Sequence, residues 1–85
     1  MFNFLKRWFD RPTLIVVFLI NGNVWYLSNK TNFKMTNNKN TAHRFHNIND
    51  VNKTFGFNVK TLNNVLVIDS DDNWTTQDII QELFV

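Results

Sequence analysis

Two histidines stand at a spacing that some metal sites use. His43 and His46 are three residues apart, so on a helix both imidazoles would lie on one face. Asn47 and Asp50 could then add oxygen ligands. Because the chain has two His and no Cys, this set makes a weak zinc site. We predict solvent-exposed histidines that flank a structural Phe45, and we expect no metal and no other cofactor.

An acidic segment later in the chain matches the start of a calcium-binding loop. Asp69, Asp71 and Asn73 occupy the first three ligand positions of such a loop. The pattern then fails, because Trp74 stands where the loop needs Gly and Ile80 stands where it needs Glu. The segment is instead typical of a solvated turn whose negative charges favour the N-terminus of the helix that follows.

No residue pattern in the chain predicts catalysis. Ser28 and Ser70 are the two serines, and neither lies in a nucleophile motif. A hydrolase with two carboxylates needs acids held in an apolar cleft, and the sequence specifies no such arrangement. We therefore expect a protein that is not an enzyme.

Charge is unevenly distributed along the chain. All nine Lys and Arg residues lie between Lys6 and Lys60. The segment after residue 60 carries five of the seven acidic residues, namely Asp69, Asp71, Asp72, Asp78 and Glu82. Two interpretations follow. The acidic segment docks on the basic part of the same molecule, which we favour, or the two parts face different partners.

Length and composition indicate one folded domain. A chain of 85 residues has little core to divide between two domains. Its 44% hydrophobic content, with nine Phe and three Trp, is too apolar for a disordered protein. The apolar run of residues 14–20 is far shorter than the roughly 20 residues that span a bilayer. We interpret this run as a strand, and a membrane-surface role is the least favoured alternative.

The hydrophobic pattern predicts an α+β fold, a small antiparallel sheet of four to five strands with three helices. Residues 1–11 have the spacing of an amphipathic helix with Trp8 on its apolar side, and Pro12 ends it. This helix is expected to cover its own sheet, or else a groove on a partner or, as the third alternative, a membrane surface to which it would anchor the protein. Strands are predicted over 13–20 and 23–28, joined by a type I′ turn at Asn21-Gly22 that places Phe18 opposite Trp25.

The second half of the chain is predicted to contain two more helices. After a short strand at 33–35 and a polar, mobile loop at 37–40, a helix over 47–55 is capped by Asn47 and ended by Gly56. Alternation at 57–61 indicates a strand, and a second turn leads into a buried strand at 65–68. Thr75 and Asp78 predict the capping box of a last helix over 75–84. The sheet with its inserted helix thus spans residues 13–68.

Three segments together resemble the small accessory proteins of tailed bacteriophages. They are residues 24–28 (VWYLS), 42–45 (AHRF) and 48–51 (INDV). In those proteins an aromatic strand leads through an Ala-x-x-Phe segment into a short helix, and the likeness covers about residues 24–68. The resemblance implies an inhibitor of a host or defence protein that acts in the cytoplasm of the infected bacterium. It carries over no functional residue.

Binding is the function that the sequence favours. The first hypothesis is a protein-binding inhibitor or regulator, for which the candidate contact residues are Asp69, Asp71, Asp72, Trp74, Trp8 and Arg44. The second is a nucleic-acid-binding protein that uses basic residues spread among aromatic ones: Lys30, Lys34, Lys39, Arg44, Lys53 and Lys60 among Trp25, Tyr26, Phe33 and Phe45. The aromatic content is also compatible with a homodimer.

Overall fold

A computed structural model describes residues 12–84, apart from the side chain of Phe84. It contains strands β1 (Leu14–Ile20), β2 (Asn23–Asn29), β3 (Lys34–Thr36) and β4 (Val65–Asp69), with helices α1 (Ile48–Phe55) and α2 (Thr76–Phe84). The strands form one antiparallel sheet in the order β3-β2-β1-β4. This confirms the predicted α+β class. The predicted helix over 1–11, with Trp8, lies outside the described residues.

The β1–β2 hairpin forms as its turn residues predict. Asn21 and Gly22 both have positive φ, 53° and 80°, as a type I′ turn requires. Phe18 lies opposite Trp25 in the register. Because this turn matches the twist of the strands that it joins, the hairpin aligns β1 as the central strand of the sheet.

The two faces of the sheet are each covered by one helix. Val16 and Phe18 of β1 point to the face where Val51 of α1 is fully buried. Ile15 and Val17 point to the other face, where they share a core cluster with Ile79 of α2. Side chains alternate between the faces of a strand, so the apolar run of β1 supplies two cores at once.

A segment that follows β3 lies between the ends of β1 and β2. We call residues 43–46 the wedged segment. The His43 N–H donates to the Leu27 carbonyl (2.7 Å). Phe45 exchanges two backbone hydrogen bonds with Leu14, at 2.7 and 3.0 Å. These bonds replace strand pairing where β1 and β2 separate, and they fix residues 43–45 as extended backbone at one end of the sheet.

The predicted strand over 57–61 is wrong. Val59–Thr61 forms a 3₁₀ turn, because two asparagine side chains bond its backbone. Asn52 accepts from the Val59 N–H (3.0 Å), and Asn58 accepts from the Lys60 N–H (3.1 Å). Val59 is then buried in the core beneath α1. The described sheet therefore has four strands, and β4 pairs with β1 instead of with a neighbour in sequence.

Both described helices have the capping residues that their sequences predict. Asn47 accepts from the Asp50 N–H (2.9 Å) at the start of α1, and Gly56 ends it with φ at 81°. At the start of α2, Thr75 and Asp78 exchange side-chain to backbone hydrogen bonds of 3.1 and 3.0 Å. Neither helix is long and apolar enough to cross a membrane.

The connection between β3 and α1 contains a short turn that its polar composition did not predict. Within the predicted loop over 37–40, a 3₁₀ turn begins at Lys39 and runs to Thr41. The Asn38 side chain caps this turn by accepting from the Asn40 N–H (3.0 Å). The third strand, predicted over 33–35, is Lys34–Thr36.

Candidate functional site

The Asp-rich turn between β4 and α2 is held by its own backbone. The Asp69 carboxylate accepts from the Asp71 N–H (2.9 Å) and from the Thr13 hydroxyl (3.3 Å). The Asp72 N–H donates to the Asp69 carbonyl (3.1 Å), and the Trp74 N–H donates to the Asp72 carbonyl (3.0 Å). Asp69 thus has a structural role, and the turn presents the residues after it in one orientation.

An acidic groove lies between this turn and the exposed side of α2. We define the acidic groove by its six lining residues, Asp72, Asn73, Trp74, Asp78, Gln81 and Glu82, around a volume of about 490 Å³. Trp74 is half-buried and packs against the core cluster beneath α2. The groove therefore combines three carboxylates, two amides and the indole of a well-anchored tryptophan.

The dipole of α2 acts differently at the two ends of the acidic groove. A helix carries a partial positive charge at its N-terminus and a partial negative charge at its C-terminus. Asp78 lies in the first turn of α2, and Glu82 lies in the last turn, which contains no basic residue. The dipole therefore adds to the negative field at Glu82 and opposes it at Asp78.

Two basic side chains from the rest of the molecule contact the Asp-rich turn. Lys39 Nζ donates to the Asp72 carbonyl (3.1 Å), and Arg44 Nε donates to the Ser70 hydroxyl (3.3 Å). Both acceptors are neutral oxygens. The Asp-rich turn thus contacts the basic part of the chain through neutral oxygens, and no groove carboxylate takes part in these two contacts.

A basic cleft lies on the α1 side of the sheet. We define the basic cleft by eight lining residues around a volume of about 270 Å³: Lys30, His43, Arg44, Phe45, His46, Asp50, Lys53 and Thr54. Three separate parts of the chain supply them, the turn after β2, the wedged segment and α1. Three permanent cations and two imidazoles oppose one carboxylate, so the cleft is positive.

His43 is the partly buried histidine of this cleft. Its ring meets Phe45 edge to face, with centroids 4.6 Å apart. Burial, and then the positive charge of Lys30, lower the pKa of His43 below its ordinary value of 6.5. His46 is exposed. The prediction of two exposed histidines beside a structural Phe45 is therefore correct for His46 and wrong for His43, because the wedged segment tucks His43 against the sheet.

An aromatic patch is built from the same two elements as part of the basic cleft, the turn after β2 and α1. We define the aromatic patch as Phe33, Phe55 and Phe57. The ring centroids of Phe33 and Phe55 are 5.4 Å apart, those of Phe55 and Phe57 are 6.1 Å apart, and both pairs are edge to face. Phe33 and Phe57 remain 45% and 47% exposed. Two phenylalanines thus keep nearly half of their surface in water at the end of α1.

The structure separates the residues that the sequence suggested for partner binding. Asp72 and Trp74 line the acidic groove. Asp69 and Asp71 lie in the turn beside it, where Asp71 lines a smaller hollow that also contains Arg44. Trp8 lies outside the described residues.

Sequence reasoning missed members of both sites. The carboxylates of Asp78 and Glu82 in the acidic groove could have been found, because a spacing of four residues puts them on one helix face. Lys30 and Lys53 of the basic cleft were included among spread basic residues. No local signal shows that the fold brings these two lysines together.

Within residues 12–84, no group of three or more His, Asp or Glu residues is arranged to hold a metal ion. Searches against protein-family models, curated proteins and solved structures find no match to this chain.

Proposed function

We propose that this protein is a non-enzymatic binding module that holds a basic segment of a partner protein in the acidic groove. The observation that carries the proposal is the juxtaposition, along one open groove, of the carboxylates of Asp72, Asp78 and Glu82 with the indole of Trp74. One oxygen of Asp78 accepts from the Thr75 N–H in the helix cap. A convergent set of polar groups around an aromatic wall is what ligand sites in proteins typically provide.

The chemistry of the acidic groove selects Lys or Arg. A carboxylate forms charge-assisted hydrogen bonds with an ammonium or guanidinium group, and these are roughly twice as strong as neutral ones. A cation placed over an indole gains a further ~0.5–2 kcal/mol. Because Trp74 already packs on the core, little side-chain entropy is lost when a partner covers it. Tryptophans of this kind are the usual energetic centres of protein interfaces.

The biological role that fits such a module is inhibition or regulation of the bound protein. The resemblance of residues 24–68 to small accessory proteins of tailed bacteriophages supports a host or defence protein as the target. That target would be bound in the cytoplasm of the infected bacterium. The abundance of Asn and Lys in the chain, which A/T-rich coding DNA produces, supports the same origin.

The proposal is tested by titrating the ¹⁵N-labelled protein with a short Lys/Arg-rich peptide and then with the same peptide in which Gln replaces the basic residues. We expect the basic peptide alone to shift the amide resonances of the acidic groove and the indole N–H of Trp74. The variant Asp72→Asn with Glu82→Gln should weaken binding at least about ten-fold, since each charge-assisted bond contributes roughly 1.5–3 kcal/mol.

The matched control is Asp50→Asn, which removes a carboxylate that lines the basic cleft. It should leave peptide affinity unchanged. If Asp50→Asn and the groove variant weaken binding equally, the peptide responds to net charge and the groove is not its site. A pull-down from nuclease-treated bacterial lysate then extends the test. A stoichiometric protein retained by the wild type and lost by the groove variant would identify the target.

A further inference from the structure

We propose that the α1 side of the sheet is a binding site for single-stranded nucleic acid, in which the basic cleft holds phosphates and the aromatic patch stacks on bases. This site is separate from the acidic groove. It has the opposite charge to the groove and is built on α1 instead of α2. An experiment can therefore disprove nucleic-acid binding here without disproving peptide binding in the groove, and the reverse also holds.

The basic cleft has the composition of a phosphate site. Lys30, Arg44 and Lys53 line one concavity of about 270 Å³, with the single carboxylate of Asp50 among them. Arg44 also donates through Nε to the Ser70 hydroxyl of the Asp-rich turn. Phosphate contacts of this type supply the sequence-independent part of nucleic-acid affinity.

The aromatic patch has the exposure that base stacking needs. Phe33 and Phe57 lie on either side of Phe55, which itself packs against the core. Phe33 has a φ of 54°, in the left-handed region that a bulky residue adopts only at an energetic cost. Such strain is characteristic of functional positions. Here it keeps the Phe33 ring beside Phe55 and 45% exposed.

The cleft and the patch are built from the same two elements. The turn after β2 supplies Lys30 to the cleft and Phe33 to the patch, three residues apart in the chain. The end of α1 supplies Lys53 to the cleft and Phe55 to the patch. The turn after β2 and α1 therefore each contribute one residue to the cleft and one to the patch. Single-strand binding proteins combine the same two components, a basic groove for the backbone and aromatic platforms for the bases.

This combination favours a single strand over a duplex. The flat faces of bases are covered by their neighbours in a stacked duplex, so exposed phenylalanine rings gain stacking only with unpaired bases. The bases of a pyrimidine run stack only weakly on one another, so they separate most readily to stack on protein side chains. We therefore expect an oligothymidylate to bind more tightly than a duplex of equal length.

The experiment measures the fluorescence anisotropy of dye-labelled oligothymidylate of about 12 nucleotides, a length within the usual site sizes of single-strand binding folds. Affinity is determined at several salt concentrations for the wild type and two double variants. Lys30→Gln with Lys53→Gln should weaken binding and lower the salt slope by about 1.4, because each lost phosphate contact removes about 0.7. Phe33→Leu with Phe57→Leu should weaken binding about ten-fold or more without changing the salt slope.

Matched controls keep the test specific. Lys60→Gln removes one positive charge from a surface beside β4, half the charge change of the lysine double variant, and Ile20→Ala removes another exposed apolar side chain. Both should bind like the wild type. Urea denaturation of each variant confirms that it folds. Three results would each overturn the proposal. The first is that oligothymidylate does not bind at low salt, and the second is that Lys60→Gln weakens binding as much as the lysine double variant does. The third is that a duplex binds as tightly as the single strand and the leucine double variant has no effect.

Discussion

The acidic groove and the basic cleft are concavities of opposite charge on one small molecule, and they differ in how the chain builds them. Residues 72–82, one continuous stretch, line the groove. The cleft needs the turn after β2, the wedged segment and α1 to meet. Binding in the acidic groove thus depends on α2 staying packed against the sheet. Binding in the basic cleft depends on the arrangement of the whole sheet.

The two helices also differ in how their side chains pack against the sheet. In α1, Val51 is fully buried, and the aromatic contacts of Phe55 add a second attachment to the sheet. Among the described side chains of α2, Ile79 is the fully buried one, and Leu83 packs partly against the core. We infer that the groove is the more easily disassembled of the two sites.

The largest expected effect comes from Ile79→Ala. Truncation of a fully buried isoleucine lowers the free energy of unfolding by about 2–5 kcal/mol. The variant should lose peptide binding in the acidic groove at urea concentrations where oligothymidylate binding persists. Urea denaturation and the two binding assays measure this. Ile80→Ala, at a half-exposed position of the same helix, is the control and should cost less.

If Ile79→Ala abolished both binding activities at the same urea concentration, the two sites would unfold as one unit. The inference that the groove depends on α2 alone, whereas the cleft depends on the whole sheet, would then be wrong.

An intermediate effect is expected from the helix caps. Thr75→Ala removes the acceptor for the Asp78 N–H in α2, and Asn47→Ala removes the acceptor for the Asp50 N–H in α1. Each should lower the free energy of unfolding by about 1 kcal/mol. Hydrogen exchange should show faster opening of α2 in Thr75→Ala and of α1 in Asn47→Ala.

Thr75→Ser and Asn47→Asp keep an oxygen acceptor at each cap and should restore most of the lost stability. Equal hydrogen exchange in both helices for either alanine variant would contradict independent opening of the two sites.

The smallest effect concerns pH and the basic cleft. Because the pKa of His43 is lowered in the folded protein, the folded state binds fewer protons than the unfolded chain. The stabilising contribution is present above the ordinary value of 6.5 and is lost as the pH falls through the folded pKa. The charged and titratable groups around His43 in the cleft are Lys30, Arg44, His46, Asp50 and Lys53.

Urea denaturation between about pH 8 and about pH 5.5 measures this dependence. His43→Gln should flatten it. Bound oligothymidylate should reduce the loss of stability at low pH, since a phosphate favours the protonated imidazole. A wild-type profile that His43→Gln leaves unchanged would remove His43 from the titrating groups of the cleft.

Local sequence signals predicted those parts of the fold that depend on neighbouring residues. The Asn21-Gly22 turn, the Asn47 cap and the Thr75–Asp78 capping box are each decided within a few residues. For the same reason Asp72 and Trp74 could be proposed as binding residues of one surface.

Other features depended on contacts that a sequence pattern does not reveal. Alternation at 57–61 fits a strand, but Asn52 on the preceding helix bonds the Val59 N–H and a 3₁₀ turn forms instead. Lys30 and Lys53 meet because the turn after β2 and α1 lie at the same end of the sheet. Such a meeting is decided by tertiary packing.

The central position of β1 has a consequence for the order of folding. Its pairing with β2 needs only a two-residue turn, and a hairpin of this type closes in about 1–10 μs. Its pairing with β4 joins distant parts of the chain, since Thr13 and Asp69 are 56 residues apart. Closing so long a loop loses more entropy before any contact compensates for it. We therefore expect the hairpin to form early, and docking of β4 to be the rate-limiting step that completes both binding surfaces.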